Sequence, residues 1–148
     1  MLRRLKNLGA NKDDLLEIYR TQVRSVLELA VPAWQGNLSQ TDKINIERVQ
    51  KSALHIILGD EYISYKNAIK TLDVDDLETR RNQLCLKFGK KCEKSDKFRK
   101  WFKFNTQTVN TRQEKTKYVK VRARLSRLEK SPISFLTNML NHHYSKQK

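Results

Sequence analysis

The chain has 148 residues, of which 31 are Lys or Arg and 16 are Asp or Glu, giving a formal net charge of +15 at pH 7. That length holds one domain, or one domain and a tail, and with 4 glycines, 2 prolines and no recurrent strand pattern it reads as mostly helical. No apolar run approaches the roughly 20 residues of a membrane span, no secretory signal is visible, and 2 cysteines cannot form a disulfide framework.

Residues 2–8 predict a short helix with Leu2, Leu5 and Leu8 inward. A second helix follows over 12–30, capped by Asn11 with Asp14 as its third-position acid. Leu15, Ile18 or Tyr19, Val23 or Gln22, Val26 and Ala30 lie along one face, and Pro32 disturbs its end. Trp34 has the size of a core ring. A third helix runs over about 41–58. Ile46, Val49, Ala53 and Ile57 recur at spacings of three and four, and Leu54 and Leu58 widen the stripe. Glu47, Arg48 and Lys51 fall on the other side. Ser39 or Thr41 caps it, Asp42 sits in its first turn, and Gly59 suits a left-handed residue just past its end.

A short helix over 65–71 starts at Ser64. A fifth runs over 74–94, with Asp73 as cap and Asp75, Asp76 and Glu78 loading its first turn. Leu77, Leu84, Cys85, Phe88 and Cys92 share its stripe. Arg81 falls there too, and snorkelling to the rim is preferred over reaching a phosphate. Cys85 and Cys92 are seven residues apart, two turns on one face, which reads as a pair of buried thiols. Zinc would need four ligands, and His142 and His143 are distant, so no metal is expected.

After Ser95 the pattern changes. Phe98, Trp101, Phe102 and Phe104 alternate with Lys97, Arg99, Lys100 and Lys103. Such rings either dock on a helical core or stack on bases, and docking is preferred. Residues 105–117 are polar loop. Between Val119 and Leu125 apolar residues alternate with Lys120, Arg122 and Arg124, which predicts a strand or an extended arm with a cationic edge. A lone strand is marginal, which leaves room for an arm that orders only on nucleic acid. Ser131 caps and Pro132 opens a last helix to about Tyr144, with Ile133, Leu136, Leu140 and Tyr144 or His143 on one side.

Charge is uneven along this order. Residues 1–85 hold 13 basic and 12 acidic residues, whereas residues 86–148 hold 18 and 4. The asymmetry points to a polyanion held by the C-terminal half, through phosphates and without base-reading motifs.

Four blocks, in order, resemble the region after the polymerase palm in reverse transcriptases of non-LTR (LINE-type, jockey-like) retrotransposons. Leu2-Arg3-Arg4-Leu5-Lys6-Asn7-Leu8-Gly9 is similar to the end of the helix that opens the thumb. Val26-Leu27-Glu28-Leu29-Ala30-Val31-Pro32-Ala33-Trp34 resembles the family's "R-P-V-L-E-Y-A-x-P-x-W", with Arg24-Ser25 in place of Arg-Pro and Leu29 in place of Tyr. The stretch Ile46 to Gly59 is the third block. Arg80-Arg81-Asn82-Gln83-Leu84-Cys85-Leu86-Lys87-Phe88 is similar to "R-R-x-x-L-C-L-K-F". The tail Ser131-Pro132-Ile133-Ser134-Phe135-Leu136-Thr137-Asn138-Met139-Leu140-Asn141 resembles the end of such proteins.

The resemblance implies a mostly α fold: a small thumb-like helical bundle over 1–94, then a basic, aromatic-containing tail over 95–148 with an extended arm and a terminal helix. It implies a non-catalytic piece of an RNA-directed DNA polymerase. The family's chemistry needs two metal ions on converging palm carboxylates. Asp73-Val74-Asp75-Asp76 mimics the aspartate turn only superficially, lacking its aromatic residue and an upstream strand, and no cofactor is implied. The expected partners are RNA or an RNA–DNA hybrid, inside the cell in nucleus or cytoplasm, with no membrane. Arg3 and Arg4 follow from the resemblance as phosphate-binding candidates, and Lys87, Lys90, Lys91, Lys120, Arg122, Arg124 and Arg127 follow from charge. The alternative is an inactive or reused remnant acting as a helical protein-interaction module, its partner on the apolar face left open without the palm.

Overall fold

A computed structural model describes residues 1–106, 116–122 and 124–146. In chain order the helices are α1 (Leu2–Asn7), α2 (Lys12–Ile18), a π turn (Tyr19–Arg24), α3 (Ser25–Leu27), α4 (Val31–Trp34), α5 (Gln40–Leu58), α6 (Tyr65–Thr71), α7 (Leu77–Lys94), α8 (Asp96–Arg99), α9 (Ser126–Glu129) and α10 (Pro132–Ser145). The chain is mostly helical, as expected. No strand forms among the described residues beyond one antiparallel bridge, Phe104 to Tyr118.

Two compact units result. The first comprises Met1–Val31 and Leu38–Arg81, the second Pro32–Asn37 and Asn82–Lys148. The two units meet inside α7, after Arg81, and the Pro32–Asn37 turn belongs to the second unit. Here α7 is one unbroken helix. Hydrophobic periodicity finds helices, and it cannot tell which half of a long helix belongs to which core.

In the first unit α1, α2 and α6 pack on α5 or on each other. The core gathers Leu2, Leu15, Leu16 and Tyr19 with Ala53, Leu54, Ile57 and Leu58, closed by Ala68, Leu72 and Val74. Local sequence sets the helix starts. The Asn11 Oδ1 accepts from the Asp14 backbone N–H at 2.8 Å. Ser39 and Asp42 form a reciprocal capping box on α5, and the Ser64 hydroxyl accepts from the Asn67 N–H at 3.2 Å. At the other end of α5, Gly59 has φ +58° and ψ −122°. The φ is positive as predicted, but the pair lies outside the left-handed helical well, in a region that excludes a Cβ. The Lys6 ammonium fills the space beside it and donates to the Ile56 carbonyl at 2.6 Å, a cation on the negative end of the helix dipole.

Several side chains depart from the expected stripes. Leu8 and Val26 are exposed. For Val26 the cause is the π turn: the extra residue per turn shifts every later side chain around the axis. The Thr21 and Ser25 hydroxyls donate to the Glu17 and Thr21 carbonyls at 2.8 and 2.5 Å. These bonds compete with the backbone N–H groups that would close an α turn. The helix expected to reach residue 30 stops at Leu27, and Ala30 turns the chain with φ +50°. On α5, Val49 faces solvent while Gln50 is buried.

That burial is possible because Gln50 is fully engaged. The Tyr19 hydroxyl donates to its Oε1 at 2.6 Å, and its Nε2 donates to the Asp75 carbonyl at 2.9 Å and to the Tyr65 oxygen at 3.1 Å. Glu47, expected on the solvent side, is half-buried and accepts from the Tyr65 hydroxyl and from the Leu77 N–H. Burial raises both tyrosine pKa values, with the Glu47 charge adding to the effect. The cap of α7 is also corrected. Asp76, not Asp73, accepts from the Thr79 N–H at 2.8 Å, and Asp73 instead turns the chain with φ +47°. Arg81 is 1% exposed, so it does not snorkel to a rim.

In the second unit Cys85 and Cys92 are buried thiols, as their spacing predicts. Leu136 and Leu140 are buried on α10, and Leu140 rests on Gly89 of α7. Ser131 caps α10 and Pro132 opens it, as expected. Gly36 is required by contact: a Cβ there would stand 2.6 Å from the Lys130 carbonyl oxygen and 2.9 Å from the Phe135 Cβ.

Candidate nucleic-acid interface

The charge break in the sequence coincides with the boundary between the units. The first unit holds 13 basic and 12 acidic residues, and the second holds 18 and 4. Of the candidate phosphate contacts, Arg3 and Arg4 are exposed on α1 in the first unit. Lys87, Lys90, Lys91, Lys120, Arg122, Arg124 and Arg127 all belong to the second.

Helix α7 presents its three by periodicity. Cys85, Gly89 and Cys92 take the buried side. Lys87 and Lys91, four residues apart, fall on the outer face together with Lys94, and Lys90 stands half-buried beside them. Phe88, expected on the inward stripe, is exposed among these lysines.

The basic segment after residue 115 is held at Tyr118. Its N–H donates to the Asn141 Oδ1 at 2.8 Å, and the Asn141 Nδ2 donates to its carbonyl at 2.9 Å. An amide side chain thus pairs with the backbone as a neighbouring strand would. On the other side the Asn105 N–H donates to the Lys117 carbonyl at 3.0 Å, and the Val119 N–H to the Lys103 carbonyl at 2.9 Å. The Tyr118 ring packs against Phe102 and Phe104 at centroid distances of 5.6 and 5.2 Å.

Glu93 completes the anchor. Its Oε1 accepts from the Tyr118 hydroxyl and from Lys117 at 3.3 Å, and its Oε2 accepts from the Tyr144 hydroxyl at 2.7 Å. Burial pushes this carboxyl up, but the bonds from Tyr118, Tyr144 and Lys117 outweigh it and hold the pKa below the ordinary glutamate value. The same burial, with the Glu93 contact adding to it, raises the Tyr118 hydroxyl to about 12. Lys117 lies 3.6 Å from the Tyr144 ring centroid and 5.2 Å from that of Tyr118, a cation held between two aromatic faces. The Glu93 carboxylate therefore already has a cation and two hydroxyls as partners.

Beyond Tyr118 the chain leaves the core. Lys120, Arg122, Arg124 and Arg127 are exposed, and Val119, Val121 and Leu125 are exposed as well. The alternation predicted two faces, but neither is covered. Residues 119–122 form no strand, because one bridge at Tyr118 is not a ladder. Ala123 and most of the loop expected over 105–117 lie outside the described residues.

Sequence reasoning missed Glu93, Lys117, Tyr118 and Asn141, whose side-chain hydrogen bonds to one another span 23 to 25 residues. It also missed a cavity of about 580 Å³ in the first unit, lined by Arg20, Arg24, Lys70 and Arg80 together with Asp73 and Asp75. Two of these cations are paired with Glu28, Arg80 at 2.9 Å and Arg24 at 3.4 Å. Asp73 turns the chain and Asp76 caps α7, and no group of three metal-ligating side chains gathers among the described residues. No helix of the described residues is long and apolar enough to cross a membrane. None of the protein-family models, curated proteins or solved structures compared with the chain matches it.

Proposed function

We propose that the second unit holds a nucleic acid by its phosphates, and that the chain is a template- or primer-handling region of a LINE-type reverse transcriptase without catalytic residues of its own. The observation that carries this reading is the coincidence of charge and fold: nearly all of the net charge belongs to one compact unit. An evenly basic surface would serve solubility alone. The four sequence blocks supply the family, and Lys87, Lys91, Lys120, Arg122, Arg124 and Arg127 supply exposed cations for the backbone. RNA or an RNA–DNA hybrid, in nucleus or cytoplasm, is the partner this family implies. Arg3 and Arg4 are the candidates that the resemblance adds on the first unit.

The test is a salt titration of binding to an RNA–DNA hybrid duplex and to single-stranded RNA. Each phosphate neutralised adds a slope of about −0.9 for a duplex, or about −0.7 for a single strand, in log K against log salt. Steep slopes support the reading. Failure of a folded sample to bind either probe at low salt refutes it. Leu8, Val26 and Ile63, all exposed in the first unit, favour a second reading as a helical protein-interaction module. Concentration-dependent self-association without nucleic-acid affinity would select that reading.

A further inference from the structure

Phe98, Trp101, Phe102 and Phe104 fall within one seven-residue stretch, and the structure separates them by role. Phe102 is 3% exposed and packs on Tyr118. That ring is core, and docking explains it. Docking does not explain Phe98, 40% exposed, or Phe104, 49% exposed.

Each outward ring is braced by an aromatic neighbour. Phe98 lies 4.8 Å from the Trp101 ring, centroid to centroid, with the planes 53° apart. Phe104 rests on Tyr118 at 5.2 Å, and the Arg99 guanidinium stands 5.7 Å from its centroid. Lys97, Arg99, Lys100 and Lys103 are exposed around them, and in the sequence Asp96 is the one acid between Lys94 and Gln113. A braced ring keeps its orientation when water or a ligand contacts its open side, so little ordering remains to oppose binding.

We infer that this segment is a stacking platform for the bases of a single-stranded nucleic acid, with Phe98 its principal ring and Phe104 with Arg99 a second station. The inference deepens the proposed function by naming the strand type, and it rests on that reading. The argument is one of complementarity. An apolar protein surface laid on these rings would have to desolvate four cations without compensation. A nucleic-acid strand brings one negative charge with every base, and every base has a π face to lay on an aromatic ring or a guanidinium plane. A duplex offers the phosphates but not the faces, because its bases are already stacked on one another.

The experiment uses the full chain and three probes: oligoadenylate, a fully paired RNA hairpin and inorganic polyphosphate. Phe98→Ala and Phe98→Leu are compared with wild type, since leucine keeps an apolar side chain and removes the π face. Phe98→Tyr keeps the face. Alanine and leucine are each expected to weaken oligoadenylate binding by about tenfold, to leave polyphosphate binding unchanged, and to be rescued by tyrosine. Oligoadenylate should quench the fluorescence of Trp101 in wild type, and Trp101→Phe should abolish that quench. Equal loss for oligoadenylate and polyphosphate, or no loss for either, overturns the platform while leaving phosphate binding intact. If none of the three probes binds, the nucleic-acid reading itself fails.

Discussion

Replacing Asn141 with alanine tests whether one side chain anchors the basic arm. The amide makes two hydrogen bonds to the Tyr118 backbone, at 2.8 and 2.9 Å, both buried. Truncation leaves the Tyr118 N–H with no partner, and its carbonyl with the Thr116 hydroxyl alone at 2.9 Å, in a site too enclosed for easy hydration. An unsatisfied buried group costs about 1–3 kcal/mol and a lost hydrogen bond about 1 kcal/mol, so the variant should lose about 3 kcal/mol. With a urea m-value of about 1.5 kcal/mol per molar, the midpoint falls by about 2 M. Both tryptophans, Trp34 and Trp101, lie in the second unit, so intrinsic fluorescence follows this unit. Asn138→Ala, at an exposed position on the same helix, is the control and should change stability by less than about 0.5 kcal/mol. Equal midpoints for the two variants would refute the anchoring argument. Asn141→Asp separates the bonds further, because it keeps an acceptor for the Tyr118 N–H and loses the donor to its carbonyl.

Reversing Lys120, Arg122 and Arg124 to glutamate should weaken nucleic-acid binding and flatten the salt slope by about 2 to 3; an unchanged slope in filter binding would remove the arm from the interface. Gly59→Ala should destabilise by about 1–3 kcal/mol through backbone strain at φ +58°, measured by urea unfolding followed at 222 nm. Lys6→Met should lose about 1 to 2 kcal/mol in the same assay, since it removes a charged donor from the end of α5. The pH dependence follows from the Glu93 cluster. The folded Glu93 carboxyl holds its proton less tightly than the unfolded one, so its contribution is present above the ordinary glutamate pKa and is lost as pH falls through the folded value. The Tyr118 hydroxyl has the opposite sign: raised to about 12, it contributes below its ordinary pKa of 10.0 and that contribution is lost as pH rises toward 12. In Glu93→Gln the acid limb of a fluorescence-monitored stability profile should flatten, and an unaltered limb would show that other carboxylates control it.

What the sequence made legible was local. Asn11, Ser39, Ser64 and Ser131 each cap the helix they precede, because a cap is settled within four residues. The helix over 65–71 was found with both ends in place. What was hidden depended on distant partners. Gln50 is buried because Tyr19, Tyr65 and the Asp75 carbonyl surround it, and a polar residue next to Val49 gives no sign of that. Val26 was assigned inward by a period of 3.6 residues that the π turn breaks. Among the three acids of Asp73-Val74-Asp75-Asp76, Asp73 and Asp76 were equally good caps on composition, and the backbone turn at Asp73 decided between them. For the candidate interface, the count of cations was legible from residue 86 onward. The carboxylate that already has partners, and the amide that fixes where the arm departs, were not.

The two thiols give the second unit a built-in clock. Cys85 and Cys92 are both buried, and burial raises the Cys92 thiol above its ordinary pKa, so in the native state little thiolate is presented to an alkylating reagent. Reaction then requires an opening that exposes them. Alkylation rates measured with and without an oligonucleotide would report how strongly a bound strand suppresses that opening, without adding any label to the protein. A cysteine introduced at an exposed site on the arm would react ahead of both native ones, so spectroscopic probes can be attached there without first removing them.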